Sequence, residues 1–310
     1  KSFLDISARQ ANSSNDTLFA DSKGEIAFLM PQFMPLRDNR FDYTRPVDGS
    51  DPATDWKGLH TLASLPSVLN PAVGWVHNTN DWPWDAAGPD SPKAGDYPRY
   101  MDQVGGNARG VHADLLLTGK RDWTPETLRA AAFDSYLPWF THTVPALVKA
   151  WDNAPASNPL KAKLKDPIAT LRTWNMRWGV DSVPTSLAVY WGSEMMRLTG
   201  RQARGEGDDD SSFVATKAAP QELLQGLAAA VDKLDRDFGT WRTAWGKINV
   251  FQRLDDSIDH PRFDDSLPAT PVMFTAATWG SLASYAPCRG LTTKRIYGGS
   301  GNSFVAVIDF

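Results

Sequence analysis

The chain has 310 residues, 42% of them hydrophobic, which is enough to bury a large core in one large domain or two modest ones. Its formal net charge of −4, with acids and bases well mixed, argues against a nucleic-acid partner, and no apolar run reaches the roughly eighteen residues of a membrane span. Cys288 is the single cysteine; it excludes an internal disulfide and a cysteine-rich zinc site and reads as a small buried filler. No basic leader with an apolar stretch opens at Lys1, so any signal peptide is expected to have been removed or to lie outside this sequence.

In chain order, residues 15–80 carry short strands and tight turns. Asn12-Ser13-Ser14-Asn15 reads as a polar loop feeding the strand around Leu18-Phe19. Leu18–Ala20 and Ile26–Leu29 flank Asp21-Ser22-Lys23-Gly24, a turn of the hairpin kind. Asn70-Pro71 and Gly74 then punctuate an approach turn, Trp75-Val76-His77 has strand character, and Asn78, Thr79 and Asn80 follow before Pro83 forbids further ladder pairing. From Asp122 the pattern turns helical. Thr124-Pro125-Glu126 is an N-terminal cap signal, and further helices are predicted over 140–152, 160–172, 182–199 and 220–236. Gly205–Ser212 reads as a solvated acidic loop whose spacing is not that of an EF-hand. After Gly246 short strands return, including Met273–Thr275 and Ser303–Phe310. Gly298-Gly299-Ser300-Gly301 is read as a glycine turn into the last of them, since no Lys-Ser/Thr follows as in a phosphate loop. Strand-rich ends around a helical middle give an α+β class.

Asn78 and Asn80 carry the chemical interest. A carboxamide is a neutral donor that can be aimed at developing negative charge, as an oxyanion hole requires; its plainer role is to close a turn. His60, His77, His112, His142 and His260 show no ligand spacing, so no catalytic metal is expected, and His77 reads as a half-buried, hydrogen-bonded histidine. The 13 tryptophans are dispersed, and Trp56, Trp75, Trp82, Trp84, Trp241 and Trp245 stand beside Gly or Pro corners that large aromatics plug.

Asn70-Pro71-x-x-Gly74-Trp75-Val76-x-Asn78-x-Asn80 resembles the segment that supplies the oxyanion-hole Asn in the penicillin acylase family of N-terminal-nucleophile hydrolases. Asp16–Phe28 resembles a hairpin of that family, Asp55-Trp56-Lys57-Gly58 its tryptophan-glycine corner, and Gly105-Gly106-Asn107-Ala108-Arg109 the segment with an active-site Arg. Trp241–Gly246 and Tyr297–Phe304 complete the series in family order.

The resemblance implies a four-layered αββα sandwich. Residues 1–110 would form a strand-rich part of its core, 111–240 a helical insertion and 241–310 returning strands. It implies an amidohydrolase that cleaves an acylated small molecule, penicillin-, acyl-homoserine-lactone- or lipopeptide-like, through an acyl-enzyme on an N-terminal Ser. Residue 1 is Lys, followed by Ser2, so this nucleophile is expected outside the chain, in an earlier part of the large subunit. Asn80 would donate to the oxyanion, and Arg109 would orient Asn80 or hold the substrate. Asn78 would brace the turn, with His77 and Trp75 supporting the site. Expected partners are the substrate, the small (alpha) subunit and the rest of the large subunit, with neither nucleic acid nor membrane. No cofactor is expected, although the resemblance allows a structural calcium ion, and the expected location is periplasmic or secreted. The competing reading is a non-catalytic, tryptophan-rich ligand-binding or interaction module.

Overall fold

Asp21 organises the first hairpin. Its carboxylate accepts the backbone N–H groups of Lys23 and Glu25 at 2.9 and 3.0 Å, while Gly24 takes the left-handed φ of 79° that the turn needs. In the computed structural model, which describes residues 2–11, 14–101, 105–206, 209–257, 261–288, 290–302 and 304–310, this turn joins strands β1 (Thr17–Ala20) and β2 (Ile26–Leu29). A third strand, β3 (Ser67–Leu69), pairs antiparallel on the other edge of β2, with Phe28 opposite Val68. Asn70 fixes that register: its Oδ1 accepts from Ile26 N at 2.8 Å and its own N–H donates to Ile26 O at 2.9 Å. The chain divides into two compact units, Lys1–Leu128 with Val307–Phe310, and Arg129–Ala306.

The first unit opens with the short helix α1 (Ser2–Ser7) and contains the three-stranded sheet and α2 (Ala108–Leu117). Met30, Leu65 and Met101 form a buried cluster with Met34 and Tyr97 packed on it. Two expectations change here. Trp75-Val76-His77 forms no strand; His77 N donates to Ala86 O, while Thr79 N and Asn80 N go to the side chains of Asp81 and Asn78. Asn and Asp carboxyl and amide oxygens outcompete a ladder in this segment. Helix α2 was not foreseen, because its polar, Gly-containing first turn hides the periodicity.

The second unit is mainly helical. The division falls inside α3 (Pro125–Ala132), started by the Thr124 hydroxyl, which accepts from Thr127 N at 3.2 Å. It continues with α4 (Phe140–Asn153), α5 (Leu160–Lys163), α6 (Lys165–Arg172), α7 (Val183–Glu206), α8 (Asp210–Thr216) and α9 (Pro220–Phe238). The single helix expected over 160–172 breaks at Leu164 because Pro167 has no N–H to donate and must sit in a first turn. The acidic loop is shorter than expected. Residues 207–208 lie outside the described residues, while Asp209 caps α8 by accepting from Ser211 N and Ser212 N, drawing the rest of the segment into a helix. Helix α9 begins with Pro220 and ends at Gly239, φ 81°. Gly226 lets α9 approach α7 closely, since a Cβ there would stand 2.7 Å from Met195 Sδ.

A one-turn helix, α10 (Trp245–Ile248), leads into β4 (Asn249–Phe251) of a four-stranded sheet ordered β5-β4-β7-β6, with β5 (Thr270–Pro271), β6 (Tyr285–Pro287) and β7 (Ile296–Gly301). The glycine run is thus a strand, not a turn into one; residues 304–310 form no strand, and Ser303 lies outside the described residues. The reason is steric. A Cβ on Gly298 would fall 2.0 Å from Tyr285 Cζ and one on Gly301 2.6 Å from Ser284 O, so the bare backbone admits the neighbouring strand. Residues 273–275 are likewise outside the strands. Cys288 is half-buried, not a fully buried filler; its Sγ packs over Gly299, where a Cβ would stand 2.9 Å away. No helix among the described residues is long and apolar enough to cross a membrane.

Candidate functional site

Residues 77–85 and the first turn of α2 converge in the first unit. Asn107 caps α2: its Oδ1 accepts from Arg109 N at 2.9 Å and Gly110 N at 3.1 Å, satisfying donors that a helix start leaves open. Its Nδ2 donates to Thr79 O at 2.9 Å, so the cap also anchors the turn. The Arg109 side chain rises from the same helix turn, and its Nη2 donates both to Thr79 O and to Asn80 Oδ1, the latter at 2.9 Å.

Asn80 is exposed and sits in the left-handed region, φ 59°, which Asn tolerates better than most residues. Arg109 is a donor only, so the oxygen of the Asn80 carboxamide must face it and the NH₂ must face away. Among the described residues that NH₂ has no hydrogen-bond partner. Asn78 holds the backbone instead: its Oδ1 accepts from Asn80 N at 3.1 Å, and its Nδ2 donates to Asp16 Oδ2 at 3.0 Å. The strand alternation that would put Asn78 and Asn80 on one face does not operate, since the segment is a turn.

Beneath the turn lie His77, Asp81, Asp85 and Asp114. His77 is buried, deeper than the half-burial expected, with Nε2 3.2 Å from Asp114 Oδ1 and its Nδ1 unpartnered among the described residues. Burial works against its charge, but the Asp114 hydrogen bond and the charges of Asp114, Asp81 and Asp85 outweigh this and raise its pKa. Asp85, which accepts from Trp82 Nε1 at 3.1 Å, is pushed up to about 6 by burial first and then by Asp81. Burial lowers the Arg109 pKa against the opposing pull of Asp81; a guanidinium stays charged regardless. Trp75 stacks on His77 with ring centroids 5.8 Å apart and lies over Gly88, where a Cβ would come within 3.2 Å of the indole.

The sequence reading thus named Asn80, Arg109, Asn78, His77 and Trp75, and these lie in one neighbourhood. Thr79, Asp81, Asp85, Asn107, Gly110 and Asp114 were given no role in the site from the sequence. Asn107 had a readable signal, an Asn directly ahead of a helix; Asp81 and Asp114 had none, because a lone acid in a sequence reads as solvent-facing whatever its neighbours. Other histidines have separate employment: His60 bridges Ser64 Oγ at 3.1 Å and Tyr100 Oη at 2.9 Å, and His260 lies outside the described residues, as do Asn12 and Ser13. Nor are all the tryptophans dispersed. Trp139, Trp174, Trp191 and Trp279 gather with Phe140 in the core of the second unit, Trp139 and Trp279 with centroids 5.0 Å apart, so they pack instead of forming a platform. No group of three or more His, Cys, Asp or Glu side chains among the described residues is arranged to hold a metal ion.

Comparison with known proteins gives two findings. A family model described as penicillin amidase matches residues 1–310. A solved structure of a thermostable penicillin G acylase from Alcaligenes faecalis is similar with a TM-score of 0.51 at 19% identity, over 77% of this chain and 49% of that one. At this identity the likeness is one of fold, a mixed α+β architecture, and the chain spans about half the length of that structure.

Proposed function

The chain belongs to the penicillin amidase family, and from that membership we propose that it is part of an acylase that hydrolyses the amide of an acylated small molecule. The substrate class is penicillin-, acyl-homoserine-lactone- or lipopeptide-like. Attack comes from an N-terminal Ser contributed from outside residues 1–310, with an acyl-enzyme as intermediate. The surrounding architecture is the αββα sandwich, completed by a small subunit and further large-subunit residues, in a periplasmic or secreted protein.

One observation carries the reading: Arg109 Nη2 holds Asn80 Oδ1 at 2.9 Å, leaving a neutral N–H donor turned outward from a strained turn. As the substrate carbonyl becomes tetrahedral, its oxygen gains negative charge that this N–H stabilises without reorganising, because the oxygen end is already clamped. The ground-state carbonyl receives less from the same donor, so the gain appears in kcat. Asn78 keeps the backbone of Asn80 in place, and His77 with Trp75 forms the floor of the segment. The test is Asn80→Ala in the mature full-length enzyme, assayed with a panel of acyl amides. A fall in kcat of about 10²–10³ with little change in KM supports the reading; unchanged kcat would overturn it.

A further inference from the structure

Why Arg109 stands where it can hold Asn80 is answered by residues below both. Thr79 donates twice to one carboxylate, from N to Asp81 Oδ1 at 2.9 Å and from Oγ1 to Asp81 Oδ2 at 2.7 Å. Asp81 is 4% exposed and makes no salt bridge among the described residues. Its charge is met by these two donors, by the first turn of α2, whose positive dipole end lies against it, and at longer range by Arg109 and His77. Contact there is tight: a Cβ on Gly110 would stand 2.3 Å from Asp81 Oδ2 and 3.3 Å from Thr79 Oγ1. With Thr79 clamped from this side, its carbonyl is presented to Asn107 Nδ2 and Arg109 Nη2 together.

We propose that Asp81 and Thr79 are positioning residues for the oxyanion donor, acting through the Thr79 carbonyl, which sets the Arg109 guanidinium and thereby the direction of the Asn80 N–H. The proposal rests on the role assigned to Asn80 above. It makes the buried acid part of the reaction's geometry, although Asp81 touches no reacting atom. A carboxylate suits the place because its two oxygens accept from Thr79 N and Thr79 Oγ1 at once; an amide of the same size would have to donate its NH₂ to Thr79 Oγ1, turning the hydroxyl proton to Asn107 Oδ1, 3.3 Å away, and so replacing the clamp on Thr79 with a looser one. Burial strengthens both bonds and makes their loss costly, so the turn is rigid where an exposed Asp turn would be mobile.

Thr79→Val and Asp81→Asn, made in the mature full-length enzyme, should each lower kcat by about 10-fold to 100-fold, as small misplacements of catalytic groups do, with KM nearly constant. Thr79→Ser keeps the hydroxyl and should retain most of kcat. The deciding measurement repeats Thr79→Val in the Asn80→Ala background, where a positioning residue has nothing left to position and should cost little more. An equal loss in both backgrounds means a general structural role and overturns the proposal, as does unchanged kcat in Thr79→Val. If instead Asn80→Ala itself leaves kcat intact, it is the assignment of the oxyanion donor that fails. Should Asp81→Asn not fold, the Thr79 pair and the double variant decide alone.

Discussion

Arg109 and Asn80 lie 29 positions apart in sequence, and a single 2.9 Å contact from Nη2 to Oδ1 determines which end of the Asn80 carboxamide faces outward. Two roles for Arg109 follow from residue type, orienting Asn80 or gripping substrate, and this contact favours the first. Arg109→Ala should lower kcat by about 10-fold or more while KM changes little, since the freed amide presents its oxygen as often as its N–H. Arg109→Lys should recover only part, because an ammonium lacks the planar fork that reaches Thr79 O and Asn80 Oδ1 together. Steady-state kinetics on both variants checks this; a loss confined to KM would assign Arg109 to the substrate.

Asn78 should separate from Asn80 by what its loss disturbs. Asn78→Ala deletes the bond to Asp16 and the one that receives Asn80 N, each part of the turn and neither aimed outward. Stability should fall by about 1–2 kcal/mol, with a kinetic effect well below that of Asn80→Ala. Urea melts alongside kcat settle the matter: a kinetic loss matching that of Asn80→Ala, without destabilisation, would exchange the two roles.

How far the sequence disclosed this site depends on the kind of interaction. Hairpin β1–β2 was legible because Asp21 and Gly24 have local jobs that residue type reveals. Helices α3, α4 and α9 were legible through caps and periodicity. Asn80 and Arg109 emerged only through resemblance, as nothing local distinguishes an aimed carboxamide from one closing a turn. Asp81 was invisible for a stronger reason: its burial follows from the approach of α2, a helix whose Gly110 breaks the periodic pattern for the sake of that contact. The glycines of β7 misled in the same way, since Gly298 serves the Tyr285 ring opposite and not a turn of its own.

Gly110 gives a prediction whose sign is informative. Inside an isolated helix, Gly→Ala stabilises by up to about 1 kcal/mol. Here the new methyl would meet Asp81 Oδ2 at 2.3 Å, so Gly110→Ala should instead destabilise by about 1–3 kcal/mol, the usual cost of overpacking. Adding Asp81→Ala removes the obstructing oxygen, and the pair should then be non-additive in the restoring direction. Denaturant melts of the parent, both single variants and the double variant test this. Simple additivity would show that Asp81 and Gly110 are not in contact.

Asp85 should make stability depend on pH in a direction opposite to that of an ordinary paired carboxylate. Its pKa of about 6 arises from burial, then from Asp81, with His77 and the Trp82 indole N–H opposing and Asp114 adding to the rise. Because this lies above the ordinary value near 4, the folded state holds a proton that the unfolded state has released between about pH 4 and 6. Stability therefore falls as pH rises through that window, and the full cost of the buried charge is borne above it. His77 shifts the balance the same way at higher pH, since its pKa is raised and the stabilisation from its charged form is lost as pH climbs through that raised value. Asp85→Asn isolates the carboxylate: it removes the charge and keeps an oxygen for Trp82 Nε1. The variant should melt above the parent at pH 8, with the gap narrowing toward pH 4, where Asp85 is already neutral. Thermal melts of both proteins from pH 4 to 8 read this directly, and a gap constant across the range would mean that Asp85 titrates as an ordinary exposed acid.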